Sequence, residues 1–198
     1  MPYDVFAALV LFVFVTAFTP GPNNIMVTAS GVNFGFLRTV PHMAGITVGF
    51  VVLVVAAAAG LGAVFAAAPG LQTVLKIAGA LYMLWLAWKV ANSRPADNTD
   101  VDLGSPMTFW EALAFQWVNP KAVVMALTVI AIYVRPEHRL NDVLIVLAVE
   151  VLATVGTVVA WTGFGVALRG LLADPRHART FNIVMALLLV VSIVPMLL

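Results

Sequence analysis

The chain has 198 residues, of which 63% are hydrophobic and only 10% charged, with a formal net charge of +1 and a mean hydropathy of +1.06. A soluble domain carries about 25% charged and about 45–50% apolar residues, so this chain cannot cover itself with a polar surface, and lipid has to cover it. The absence of cysteine excludes disulfides, thiolate metal sites and thiol nucleophiles. No lysine- or arginine-rich run points to nucleic acid, and His42, His138 and His177 stand in separate segments without metal-ligand spacing.

The first apolar stretch covers 5–30. Its flank, MPYD, carries an acid where a secretory signal carries bases, and no small-residue cleavage site follows, so a retained first transmembrane helix is expected. TPGPNN (19–24) interrupts it. Pro20 and Pro22 remove two backbone donors, Gly21 tolerates unusual dihedrals, and Asn23 and Asn24 stand where a new half-helix would be capped. The break could be a packing kink. The sharper expectation is a pocket inside the membrane, with freed carbonyls facing one way and the positive end of a helix dipole the other. An amino acid, with its ammonium and its carboxylate, needs both kinds of group.

The second stretch, 41–67, carries Gly45 and Gly49 four residues apart, and APG at 68–70 separates it from the third, 71–90. There Gly79 continues the small-residue pattern, while Tyr82, Trp85 and Trp88 recur at helical spacing. Small residues let membrane helices approach closely, which suits packing, a surface that slides during transport, or a second copy of the chain. NSRPADNTDVDLGSP (92–106) is the one clearly polar linker. It divides an expected single membrane domain into halves at about 1–92 and about 108–198, joined by about 93–107, with boundaries uncertain by a few residues.

The fourth stretch, 109–134, holds Asn119, Pro120 and Lys121 well inside it, and RPEHRLND (135–142) closes it. A charge at that depth costs about 2.5–3.5 kcal/mol on insertion scales, so Lys121 is read as functional before it is read as structural. The fifth, 143–168, holds Glu150 under the same rule; a carboxyl can occupy an apolar interior in its neutral, proton-carrying form. RGLLADPRHART (169–180) leads to the sixth, 181–198. A structural ion pair or a tether to backbone is the plainer reading of both charges.

Backbone in a bilayer must satisfy its own hydrogen bonds, so every stretch is read as a helix. The expected fold is an all-α integral membrane protein of about six transmembrane helices, arranged as two inverted three-helix halves with helices 1 and 4 interrupted by proline. With the N-terminus outside, the inner loops hold Arg38, Lys89, Arg94, Arg169, Arg176 and Arg179 and the outer loops only Arg135 and Arg139, which favours both termini outside. An offset of 100 brings Pro20 onto Pro120. Matched interruptions of this kind point to a secondary transporter's binding site.

TPGPNN, AGITVG (44–49), KIAGALYMLWLAWK (76–89) and WVNPKA (117–122), in this order along nearly the whole chain, resemble the lysine exporter/homoserine–threonine resistance (LysE/RhtB-type) family of bacterial amino-acid exporters. TPGPN is the most specific element, NPK the next, and Met83 stands where many members have leucine. The resemblance implies a small inner-membrane protein that exports amino acids or close derivatives by proton exchange, as an antiporter, with no cofactor. By motif match it carries over Thr19, Pro20, Gly21, Pro22, Asn23, Gly45, Gly49, Gly79, Tyr82, Asn119, Pro120 and Lys121.

The substrate is expected between the two broken helices. Thr19, Asn23, Asn24 and Asn119 would supply neutral hydrogen bonds, Lys121 would face the carboxylate, and Glu150 would carry the proton. A membrane enzyme would need a nucleophile–base or metal constellation, and none is legible. A scaffold or chaperone-like subunit would tolerate replacement of Asn23 and Lys121. Export of another small solute stays open, although scarce His, Asp and Glu in the spans count against a metal ion.

Overall fold

The computed structural model describes residues 1–93, 105–172 and 174–194. Most of the polar linker and the last four residues of the sixth apolar stretch lie outside the described residues. Within them the apolar runs form nine α-helices and a single 3-10 turn, with no strand, as expected where backbone groups have only each other to bond.

The interrupted first span becomes α1 (Tyr3–Phe18) and α2 (Pro22–Phe34), bent by 51° at the break. Gly35 alone joins α2 to α3 (Phe36–Ala58), at φ 81°, where glycine is at ease and other residues are strained. The stretch expected at 41–67 therefore starts earlier, with Pro41 inside the helix. It also divides, because Gly60 at φ 111° turns the chain into a short α4 (Leu61–Ala67). α5 (Pro69–Ala91) follows. After the linker, α6 (Phe109–Phe115) and α7 (Pro120–Tyr133) form the second broken span, bent by 62°. The turn Pro136–His138 leads into α8 (Arg139–Leu168), and α9 (Pro175–Val191) comes last. Three helices are long and apolar enough to cross a membrane, and five spans result if each bent pair is one. The sixth expected span is represented by α9, 17 residues long.

The main packing runs between the halves. α2 lies along α8 with backbone against backbone: a Cβ on Gly31 would collide with the Thr162 carbonyl, and one on Gly165 with the Thr28 carbonyl. Thr28 fixes the register by donating to the Trp161 carbonyl at 3.2 Å. α3 lies along α6 in the same manner, with Gly45 against the Phe109 carbonyl and Ala112, and Gly49 against Leu113 and Gln116. The Gly45–Gly49 face is thus used within the chain. α5 packs on α9, and α3 crosses α8. Buried amides tie the far end together: Asn33 and Asn182 donate to each other at 3.1 and 3.3 Å, and Asn182 also donates to the Ser93 carbonyl at 2.8 Å.

Two apolar clusters result. One gathers α2, α5, α6, α9 and the first half of α3; the other gathers α1, α7 and the first half of α8. The division falls between Ile46 and Phe50 on α3 and between Ala153 and Val158 on α8. Between the clusters, Asn23, Asn24, Asn119, Lys121, Thr154 and Thr157 meet apolar side chains of both.

Two glycines two residues apart on α8 test the crossing. Gly165→Ala should destabilise the protein by about 1–3 kcal/mol, because backbone must move to admit the methyl. Gly163→Ala, which meets nothing within 4 Å, should be neutral or stabilising by a fraction of the roughly 1 kcal/mol helix preference of alanine over glycine. Thermal unfolding of both variants in detergent checks the pair; equal effects would refute the close α2–α8 contact.

Candidate functional site

Proline at 20 and 22 leaves the end of α1 without its usual donors, and nearby side chains take their place. Thr19 Oγ1 donates to the Thr16 carbonyl at 2.7 Å. Asn24 Nδ2 reaches back from the first turn of α2 to the carbonyls of Ala17 and Thr19, both at 2.9 Å. Lys121 Nζ crosses from α7 to the same break and donates to the Thr19 carbonyl at 2.6 Å and to Thr19 Oγ1 at 2.9 Å.

Two sequence expectations change here. Neither Asn23 nor Asn24 caps α2; its N-cap is Gly21, without a side-chain cap bond. Gly21 has φ −170° and ψ 175°, extended backbone open to any residue. A Cβ there would stand 2.8 Å from Lys121 Cδ, so a larger residue would displace the Lys121 side chain.

The second break follows a similar plan. Asn119 caps α7, its side chain accepting from the Lys121 backbone N–H at 3.2 Å, and Pro120 takes the first helical position, where its missing N–H costs nothing. The first residue of α2 is Pro22. The breaks therefore correspond at an offset of 98, Pro22 with Pro120, and Asn23 occupies the helical position that Lys121 occupies in the other half. Asn23 pairs with Gln116, the last residue before the second break: Asn23 Nδ2 donates to Gln116 Oε1 at 2.8 Å, and Gln116 Nε2 to Asn23 Oδ1 at 3.3 Å. Gln116 is fully buried.

Between the breaks lies a cavity of about 50 Å³. Gly21, Pro22, Asn23, Asn24, Asn119 and Lys121 line it, and Thr19 joins through its bonds to Lys121. Pro20 and Pro120 are not part of the wall. α3 contributes Ile46 and Phe50, and α8 contributes Thr154, Thr157 and Val158. The N-termini of α2 and α7 both open on this space, so two positive dipole ends and one ammonium converge.

A family model described as LysE type translocator matches residues 14–195. The chain belongs to that family. Its curated relatives include cysteine/O-acetylserine efflux proteins of Escherichia coli (strain K12), Shigella sonnei (strain Ss046) and Shigella flexneri, each 33% identical over 181 residues, with 90% of this chain and 90% of the relative covered. No solved structure matches the chain. The family and its apolar helices make this translocator a multi-pass membrane protein.

The remaining expected residues lie outside the cavity lining. Glu150 is buried on α8, four residues before Thr154, and neither carboxyl oxygen has a hydrogen-bond partner among the described residues. His42, dismissed at the sequence level for want of metal spacing, is also buried with both ring nitrogens unpaired, four residues before Ile46. Gly79 is buried in α5. The Tyr82 ring lies against Trp85 and Phe115, with centroids 5.3 and 5.7 Å away. Gln116, Thr154 and Thr157 are additions of the structure. The available signal was an amide three residues before NPK, and two threonines at i+4 and i+7 from Glu150 on one helix face.

The Asn23–Gln116 pair links the two breaks and can be measured directly. Replacing either amide by alanine should cost about 1–3 kcal/mol by stranding its partner. The double variant should cost less than the sum, with a coupling of roughly 0.5–3 kcal/mol. Unfolding in detergent across the four-protein cycle provides the readout, and strict additivity would remove the pair from the account.

Proposed function

We propose that this translocator exports an amino acid or a close derivative from the cytoplasm across the bacterial inner membrane, as a proton-coupled antiporter with both termini outside. The observation that carries the reading is the convergence of Lys121 with the N-termini of α2 and α7 on one cavity between the halves. A carboxylate is the group such a convergence favours. The relatives' names, cysteine/O-acetylserine efflux protein, make those two compounds the first substrates to try. The majority of Lys and Arg in the loops after the first, third and fifth spans supports the orientation. The site is complete within one copy of the chain.

Binding would act through Lys121. At rest its ammonium holds the Thr19 carbonyl and hydroxyl across the break. An incoming carboxylate competes for that ammonium with a charge-assisted bond, the stronger kind. Released from Lys121, the α1–α2 bend keeps the two Asn24 bonds, to the Ala17 and Thr19 carbonyls, and loses its tie to α7. A cavity of about 50 Å³ has room for a few waters at about 10–15 Å³ of probe-occupied volume each, so admitting an amino acid requires the halves to move apart. Rocking of one half against the other would supply that motion. Glu150 would carry the exchanged proton, because an unpaired carboxyl in an apolar setting is stable only when neutral.

Efflux of labelled cysteine, O-acetylserine and other amino acids from preloaded proteoliposomes, with and without an imposed proton gradient, tests the reading. Wild type should show gradient-dependent efflux. Lys121→Ala should lose tenfold or more, matching a charged hydrogen bond of about 1.5–3 kcal/mol. Glu150→Gln should keep substrate exchange and lose the response to the gradient. If no amino acid or derivative moves, the export reading fails; if Glu150→Gln still follows the gradient, the proton has another carrier.

A further inference from the structure

Thr157 sits in the cavity wall, 3% exposed, and its hydroxyl has no partner among the described residues. That is unusual chemistry for a helix. A threonine hydroxyl inside a helix has a ready acceptor in the carbonyl four residues back. Thr16, Thr28, Thr39, Thr47 and Thr180 of this chain all use it. Thr157 does not, although Ala153 offers the same carbonyl. A buried hydroxyl left unmatched costs about 1–3 kcal/mol, and a ligand group in the cavity is what can satisfy it.

The geometry points to Thr157, supported by Thr154 on the preceding turn, as the residue that hydrogen-bonds the polar tip of the substrate's side chain. The class of substrate selected is then an amino acid with a short, uncharged, hydrogen-bonding side chain: a hydroxyl, a thiol or an ester. This rests on the export reading and on its placement of the carboxylate. With the carboxylate held by Lys121 and the ends of α2 and α7, the side chain is left the wall made by α3 and α8. That wall is apolar at Ile46, Phe50 and Val158 and polar only at the two threonines.

Charge sharpens the selection. Lys121 is the only charged residue in the described lining, and no carboxylate faces the cavity. A lysine or arginine substrate would add a side-chain cation to the α-ammonium that every amino acid brings, with no counter-charge in the α3–α8 wall to receive it, a mismatch that acts as rejection. Glu150 belongs to the same helix but lies a turn beyond Thr154, outside the wall.

Equilibrium binding to the purified full-length protein in detergent provides the test. The ligands are L-serine, L-cysteine and O-acetyl-L-serine, their apolar counterparts L-alanine and L-2-aminobutyrate, and L-lysine. The proteins are wild type, Thr157→Val and Thr157→Ser. Thr157→Val should weaken serine binding roughly tenfold, the size expected of one lost hydrogen bond, and alanine binding less than about twofold. Thr157→Ser should bind as wild type does, and none should take lysine.

Thermal unfolding without ligand adds an independent readout. Thr157→Val removes an unmatched hydroxyl and should unfold at the same or a higher temperature, whereas a structural hydroxyl would make it unfold lower. Equal loss for serine and alanine, no loss for either, lysine binding comparable to serine, or a lowered unfolding temperature would each overturn the assignment. Wild-type binding with an unaffected Thr157→Val defeats this inference alone. Wild type that binds none of the amino acids defeats the export reading and this one with it.

Discussion

In hydrocarbon there is no water to receive a backbone carbonyl, so a helix can be broken only where something else donates. Nearly every feature at the centre of this protein follows from that constraint. Pro20 takes away the donor that the Thr16 carbonyl would have had, and the Thr19 hydroxyl replaces it. The carbonyls of Ala17 and Thr19 are met by Asn24, and Thr19 again by Lys121. The second break is closed by Asn119 on its own helix, and the two breaks are joined by the Asn23–Gln116 amides. Asn24 and Lys121, which repair the backbone, also line the cavity. In the proposed binding mode the same atoms would serve structure and ligand, which is how a ligand would act on the bend.

The glycine crossings determine how such a bend can move the rest. α2 against α8 and α3 against α6 are joined backbone to backbone through Gly31, Gly165, Gly45 and Gly49. Exchanging the halves relates α2 on α8 to α7 on α3, and α3 on α6 to α8 on α1. Those partner crossings are looser: on α8, Gly156 meets only the ring of Phe18, at 3.9 Å. An arrangement tight on one pair of crossings and loose on the other is the kind that rocking can invert. The two apolar clusters, divided at the cavity along α3 and α8, each draw helices from both halves.

The sequence announced what acts locally. Prolines remove donors wherever they stand, so both breaks were legible, whereas the capping role of Asn119 was not read from the sequence. What depends on which faces converge was not. Asn23 looked like a cap and instead finds Gln116, 93 positions away. Gly21 looked like a dihedral requirement, yet its backbone is extended, and what a side chain there would meet is Lys121, whose side chain runs past it. The offset of 100 matched the wrong proline of TPGP, because helix starts, and not residue types, set the correspondence; Pro22 and Pro120 begin α2 and α7. Thr157 carried only its place on one helix face with Glu150 and Thr154, since a threonine in a helix ordinarily answers to its own backbone.

The charges bear on the proposed export. A half-buried lysine and a buried glutamate could have formed an ion pair, leaving both silent. Among the described residues neither does: Lys121 rests on neutral Thr19 oxygens, Glu150 on nothing, and the ion pairs found belong to Asp142. An unpaired cation inside a membrane protein is costly to keep. Directed at a cavity with two helix N-termini beside it, that cation is suited to an anionic group arriving from outside the fold. An unpaired carboxyl a turn beyond the same wall is stable as the neutral acid and costly as the anion. Keeping the two apart leaves each able to change partner independently, and exchange of a carboxylate-bearing solute for a proton requires that independence.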